Sequence, residues 1–269
     1  MARLAVIGTL SVDRVDGGPP TPGGCPTFAA AVVGASGGDD LLVARCAERD
    51  RPLFDPVLTT PGLTVRVLAA RESSAFRIEY GGDERSMWVE AVGDGWTPDE
   101  VAAIGREVAW AHVAPLFRTH FPAVTLAALA AAGCRVSLDG QGLVRVAQTG
   151  PLTLDSDFDP SLLEHVQALK LSEEEAAIVA PDGLDDEAVE RLGAPEILLT
   201  LGSRGSVVHW QGERRHVPAR AVTGVQATGA GDAFMVGYAR ARLDGAEPFA
   251  AAAAAGDVVT RMLEARKDG

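Results

Sequence analysis

Near its C-terminal end the chain reads Thr228-Gly229-Ala230-Gly231-Asp232, and a run of small and apolar residues from Ala233 to Ala241 follows at once. Two glycines allow backbone angles that other residues resist, so successive N–H groups can point into one concavity where a helix begins. The helix dipole adds positive potential there, and a phosphate is the ligand that such a turn suits. Asp232 brings one carboxylate to the mouth of that concavity, where it reads as a base. The plainer alternative is a glycine loop in which Asp232 caps the helix, since Asp is a favoured cap residue. The hydroxyl of Thr228, the single small residue between the glycines and the small residues beyond them favour the phosphate site.

These five residues resemble the signature of the PfkB, or ribokinase-like, family of carbohydrate kinases. The resemblance implies that Gly229, Ala230 and Gly231 form an anion hole for the phosphoryl group of ATP, with Thr228 beside the nucleotide. It also implies that Asp232 takes the proton of the acceptor hydroxyl. In outline it spans most of the chain. Asp13, Gly23 and Gly24 stand where the family holds its acceptor, but Phe28 occupies the place of an Asn that commonly grips sugar hydroxyls. Thr200-Leu201-Gly202-Ser203-Arg204-Gly205 is similar to the family's ATP-site loop, which assigns Thr200, Gly202 and Gly205 to the nucleotide. The stretch from Lys170 to Glu175 falls on an Asn-x-x-Glu motif tied to Mg²⁺ and phosphate. There Glu175 matches the Glu, reaching the metal through water, Ser172 replaces the Asn, and Lys170 joins the nucleotide site.

The residues also carry readings of their own. Asp13 lies just past a first strand, where open α/β sheets place ligands, and a carboxylate there can accept hydroxyl protons. The Gly23-Gly24 pair lets backbone approach a substrate closely. Asp139-Gly140-Gln141-Gly142-Leu143-Val144-Arg145 gathers an acid, an amide and a guanidinium after another strand, which makes Arg145 a candidate for substrate binding or an ordinary structural Arg. Ser172 with Glu175 three residues on is equally a capping box. Phe28 reads as a core residue of a helix, since a phenyl ring cannot hydrogen-bond a hydroxyl.

Elements that could hold these residues are legible in the apolar pattern. Leu4–Leu10, Leu41–Cys46, Thr64–Ala69, Val108–Ala114, Arg135–Asp139, Ala168–Leu171 and Ile197–Leu201 read as strands, several with the unbroken apolar runs of a sheet buried on both faces. Helices are expected from Phe28, over Thr119–Ala132, and around Ala250–Ala255. Alternation of this kind predicts an α/β fold, a doubly wound and mostly parallel sheet with helices on both faces, in one domain over residues 1–269. Ser11–Gly18 and Ala75–Val89, the latter with a Gly81-Gly82-Asp83 turn, read as extra strands. They are surface hairpins or, by the resemblance, a small β lid.

Composition narrows the partners. A net charge of −13 over 269 residues, with no basic run, argues against nucleic-acid polymers but leaves ATP possible through local cations and helix ends. Cys25, Cys46 and Cys134 have no metal or disulfide spacing, and no apolar run is long enough for a leader or a membrane span, so a cytoplasmic protein is expected. A P-loop, a dinucleotide fingerprint, G-x-S-x-G and H-E-x-x-H are all missing. The expected function is phosphoryl transfer from ATP, with Mg²⁺, to an alcohol of a small sugar, cyclitol or nucleoside. The alternatives are a vitamin-like alcohol as acceptor and a non-catalytic binding protein on the same fold. Open strand edges in the lid lead to the expectation of a homodimer through it.

Overall fold

The computed structural model describes residues 3–35, 39–81 and 84–267. In chain order the elements are β1 (Leu4–Thr9), β2 (Ser11–Val15), β3 (Thr21–Gly23), α1 (Cys25–Ala35), β4 (Leu41–Ala47), α2 (Arg51–Leu58), β5 (Thr64–Ala70), β6 (Ser74–Gly81), β7 (Glu84–Ala91) and α3 (Pro98–Gly105). There follow β8 (Trp110–Ala114), α4 (Ala123–Ala131), β9 (Arg135–Asp139), α5 (Gln141–Val144), β10 (Gly150–Pro151), β11 (Ala168–Ser172), α6 (Glu173–Val179) and α7 (Asp186–Leu192). The chain closes with β12 (Glu196–Thr200), β13 (Ser206–Trp210), β14 (Glu213–Val217), α8 (Ala230–Leu243) and α9 (Pro248–Lys267).

The large sheet runs β14-β13-β12-β11-β9-β8-β1-β4-β5. Its strands from β5 to β12 are parallel, and β13 and β14 close one edge antiparallel. Every residue of β1, β4 and β8 is buried, which is why these strands read as continuous apolar runs. Alternate side chains feed two cores on opposite faces. Ile7, Val43, Val113 and Leu138 pack with Leu126 and Leu129 of α4, while Val6, Leu42 and Trp110 pack with Ala29 of α1 and with Met235 and Tyr238 of α8. The edge strand β14 carries Glu213, Arg214, Arg215 and His216 exposed, the usual guard of an open edge.

Most expected strands fall within a residue or two of their observed bounds. The helix expected over Thr119–Ala132 begins only at Ala123, because Pro122 at its cap has extended backbone, ψ 162°. The expected Gly81-Gly82-Asp83 turn lies partly outside the described residues.

A second sheet, β10-β7-β6-β2-β3, gathers the interrupting segments. Phe76, Ile78 and Val89 from it pack on Leu116 and Phe117 behind β8, with the rings of Phe76 and Phe117 stacked at 5.5 Å. The chain passes from β1 into β2 through one residue, Leu10, which is fully buried and whose N–H donates to Arg45 O at 3.0 Å.

Helix α8, which begins with the glycine turn, is pinned to the large sheet by a buried polar cluster. Glu196 at the start of β12 has no exposed surface and accepts from Tyr238 Oη at 2.5 Å, Arg242 Nη2 at 2.7 Å and Gln167 Nε2 at 2.9 Å. Removing one member of a buried hydrogen-bonded charge pair leaves the other uncompensated. Glu196→Ala is therefore expected to lower stability by about 3–5 kcal/mol, and Tyr238→Phe, which keeps the Arg242 pair, by about 1–2 kcal/mol. Urea unfolding of both variants checks the order; equal losses would mean that Tyr238 rather than the ion pair holds α8.

Candidate active site

The parallel strands end on one edge of the large sheet, and three of those ends meet the start of α8. Asp139 closes β9, Lys170 and Ser172 close β11, and Thr200 closes β12. Lys170, one of two lysines in the chain, is buried between acids. Its Nζ lies 3.1 Å from Asp139 Oδ2 and 3.5 Å from Glu175 Oε2. Burial pulls this ammonium down, but Asp139, Glu175 and Asp232 outweigh it and hold Lys170 above its ordinary range. A cavity of about 390 Å³ opens over this cluster. Arg145, Lys170, Glu175, Thr200, Gly202 and Asp232 are on its wall, with Gly231, Ser172 and Arg85 beside them.

Gly229 caps α8 in the left-handed region, φ 79°, with no side-chain cap. The Ala230 N–H folds back onto Ala227 O at 2.9 Å, and the next bond into the helix is Ala233 N–H to Gly229 O at 3.0 Å. Among the described residues the N–H groups of Gly231 and Asp232 have no acceptor. Of the N–H groups of Ala230, Gly231 and Asp232 expected to serve as donors in this turn, that of Ala230 is spent on Ala227 O, and those of Gly231 and Asp232 are free.

Asp232 is raised from 3.8 to about 6, first by burial and then by the charge of Asp139, against the Cys25 hydrogen bond and the charges of Lys170 and Arg145. Burial beside a second acid thus lifts this carboxylate above the ordinary range. Cys25 was not singled out as a site residue, although it follows Gly24 directly. Its buried thiol is pushed well up by burial and by Asp232, and stays a protonated donor to that carboxylate.

Of the acceptor-side candidates, Arg145 is on the cavity wall, and Asp13, Gly23 and Gly24 sit apart from it. Asp13 is on β2 in the small sheet, with its carboxylate pressed against the backbone of Gly23, so no side chain fits at that position. Burial raises Asp13 to about 6, against Ser11, Arg145 and Arg85, and its Oδ1 is buried without a partner among the described residues. Gly24 has φ 81° and lies on the Thr9 carbonyl, so both glycines are needed for the close crossing of β1, β2 and α1. Phe28 of α1 packs on Gly229, where an added Cβ would come within 2.5 Å of its Cβ and Cδ1.

Among the nucleotide-side candidates, Thr200 donates to Leu171 O at 3.2 Å, and Gly202 lies open on the wall. Gly205 turns the chain into β13 with φ 95° against the Val217 carbonyl, away from the cavity wall. Thr228 is exposed, and its carbonyl accepts from Arg266 Nη1 at 2.6 Å. Ser172 and Glu175 form the capping box of α6, with Ser172 N–H on Glu175 Oε2 at 2.8 Å and Glu175 N–H on Ser172 Oγ at 3.2 Å. No cluster of three or more His, Cys, Asp or Glu side chains able to cage a metal exists among the described residues. Mg²⁺ needs no such cage, since it keeps several waters and takes one or two carboxylates plus phosphate oxygens. Glu175, engaged by Ser172 and Lys170, suits a water-mediated contact, with Glu173 and Glu174 beside it on the wall.

Two outcomes follow from this geometry. Gly229→Ala is expected to destabilise the fold, and Phe28→Ala in the same chain to recover part of the loss, leaving about 1 kcal/mol for the left-handed backbone; the four thermal midpoints of the double-mutant cycle test the contact, and strictly additive midpoints would remove it. Asp232 has a folded value above its unfolded one, so its ionisation costs stability above about pH 6 and costs nothing below about pH 4. Asp232→Asn is then expected to raise the melting temperature at pH 7.5, with the gain shrinking as pH falls from about 6 to about 4.

Comparison with known proteins places this arrangement. Residues 151–262 match the model of the pfkB family carbohydrate kinases. A fructokinase of Klebsiella pneumoniae is 31% identical over 257 residues, covering 87% of this chain and 82% of that protein. A fructokinase of Escherichia coli is 27% identical over 267 residues, covering 88% and 83%. Among solved structures, a pyrophosphate-dependent kinase of the ribokinase family, complexed with a pyrophosphate analog and myo-inositol, superposes with TM-score 0.83 at 22% identity over 97% of this chain and 95% of that one. Arabidopsis thaliana ribokinase, complexed with ribose and ATP, gives 0.72 at 18% identity over 98% and 93%. The large sheet with its helices on both faces is the ribokinase-like fold, and no described helix is long and apolar enough to cross a membrane. With a relative this similar over most of both sequences, the chain belongs to the pfkB family of carbohydrate kinases and is a small-molecule kinase of that type.

Proposed function

We propose that the chain moves the terminal phosphoryl group of ATP to an alcohol of a small sugar or cyclitol, with Asp232 as the general base. The observation that carries this reading is the pairing, within one turn of α8, of a carboxylate raised to about 6 with two unsatisfied N–H groups. Phosphoryl transfer asks for positioning and charge stabilisation in a loose transition state, in which the alcohol proton leaves late. The N–H groups of Gly231 and Asp232 supply donors at a helix start for the equatorial oxygens. Lys170 beneath them keeps a positive charge under the site, since a Cβ on Gly231 would lie only 3.6 Å from its Nζ. Thr200 and Gly202 form the wall on the nucleotide side. Mg²⁺, when bound, would neutralise donor phosphate charge, held through water by Glu175 with Glu173 and Glu174 near it.

On the acceptor side, Asp13 offers an unpartnered oxygen to a hydroxyl, as polyhydroxylated ligands require. The small sheet that carries it acts as a lid over the acceptor. Relatives named for fructose, and neighbours holding ribose or myo-inositol, support a polyol acceptor. Exposed Val15, Tyr80 and Trp88 on the small sheet support a homodimer through the lid, which light scattering coupled to size exclusion checks; a monomer at all concentrations would end that part of the reading.

The test is turnover with ATP, and separately with pyrophosphate, against fructose, ribose, myo-inositol and nucleosides. With the best pair, Asp232→Asn is expected to lower kcat by roughly 10²–10⁴-fold. The wild-type kcat/KM should rise with pH and level off above about 6, because only the carboxylate form accepts the proton. Unchanged turnover in Asp232→Asn would remove it from the chemistry.

A further inference from the structure

The arginines of this chain mostly have carboxylate partners. Arg45 pairs with Glu100, Arg118 with Asp155, Arg66 with Glu107 at 2.9 Å and Arg242 with Glu196 at 2.7 Å. Two guanidinium groups on the wall of the cavity do not. Among the described residues, Arg145 after α5 and Arg85 on β7 make no ion pair and no side-chain hydrogen bond. They come from different sheets' neighbourhoods, yet they are close enough to feel one another's charge. Burial holds Arg145 below its ordinary range, Glu175, Asp139 and Glu174 work against that, and Arg85 adds to it.

The two acids that act most strongly on Arg145 are already engaged elsewhere. Asp139 and Glu175 are both within ion-pair distance of Lys170, and Glu175 also caps α6. Two guanidinium groups on the wall of one cavity, each with its donors unused, can both be satisfied by a single anion that bridges them. Both also lie near enough to Asp13 to lower it, but the acceptor end already holds that carboxylate, which would repel an anionic acceptor. The wall they share also carries Lys170, Ser172, Thr200, Gly202 and Gly231 as donors or open backbone, together with Gln141 and the acids Asp139, Glu173, Glu174, Glu175 and Asp232.

We infer that Arg85 and Arg145 form a two-sided clamp on the phosphates of the donor, Arg145 from the large-sheet side and Arg85 from the small sheet. This rests on the proposed kinase reading and extends it: a residue of the lid binds the donor rather than the acceptor, so donor binding draws the small sheet toward the cavity. A guanidinium suits this task, because its fork of donors matches two phosphate oxygens at once.

The test is equilibrium binding to the full chain of two probes, the non-transferable β,γ-imido analogue of ATP and inorganic pyrophosphate, with AMP as the control. Arg85→Gln and Arg145→Gln are each expected to weaken both probes by about ten- to a hundredfold, the size of a lost charged hydrogen bond. AMP affinity and the KM of the acceptor should stay within about threefold, and Arg85→Lys should recover less than half of the loss in binding free energy. Arg85 is exposed, so its variants are expected to fold, which circular dichroism confirms. Probe affinities unchanged in both variants would overturn the clamp. So would a loss confined to the KM of the acceptor, which would make the two arginines acceptor-binding. Wild-type protein that binds the probes but phosphorylates nothing in the panel would sink the kinase reading while the variants still decide the clamp.

Discussion

Lys170 Nζ lies 3.1 Å and 3.5 Å from carboxylate oxygens at the end of β9 and in the first turn of α6, and the candidate site is arranged around that one ammonium. A buried charge without partners would cost several kcal/mol or more, so these strand and helix ends must stay together once Lys170 is in place. The stoichiometry is uneven. Three acids, Asp139, Glu175 and Asp232, surround a single cation, and the first two occupy it directly. The excess negative charge falls on Asp232, which burial and Asp139 drive upward together. The raised value of Asp232 is therefore a by-product of the ion pair that fixes the sheet edge beneath it. It also explains how a chain with net charge −13 offers a place for phosphate: the favourable potential is local, built from N–H groups and a few cations.

The second support is α8 itself. Its first turn carries Asp232, and its later turns carry Tyr238 and Arg242, both locked to Glu196. The glycine turn is loose by composition but not by surroundings. Phe28 fills the space beside Gly229, and Arg266 from α9 holds the Thr228 carbonyl, so helices α1 and α9 both brace it. Phe28 thus has a packing role at the position where the family commonly carries an Asn, and on the proposed reading hydroxyl binding falls to Asp13 on the other sheet.

How much of this could be read from residue order depends on distance along the chain. Strands buried on both faces, such as Leu4–Thr9 and Leu41–Ala47, announce themselves as apolar runs, and the Gly229-to-Asp232 turn announces its helix. The antiparallel pair β13 and β14 was not foreseen, because Glu213–Val217 is polar at nearly every position, as an exposed edge strand must be. The capping box of Ser172 and Glu175 is local and was legible; its ion pair with Lys170 needed the folded backbone. Nothing in the order of residues joins Phe28 to Gly229, or Arg85 to Arg145, or reveals that Ala230 gives its N–H to Ala227. The value of Asp232 was equally hidden, since it comes from Asp139, a neighbour only after β9 and α8 are brought to one edge.

The passage from β1 to β2 through buried Leu10 puts the carboxylates of Asp13 and Asp232 on different sheets. Asp13 belongs to the small sheet and Asp232 to the large one. On the proposed reading, an alcohol is anchored by the first and deprotonated by the second, so both acts occur together only when the two sheets approach. The order of events is written into the connectivity. On that reading water, too small to bridge from one sheet to the other, gains nothing from Asp13, and the single strand exit that divides the two carboxylates would discourage futile hydrolysis of the donor.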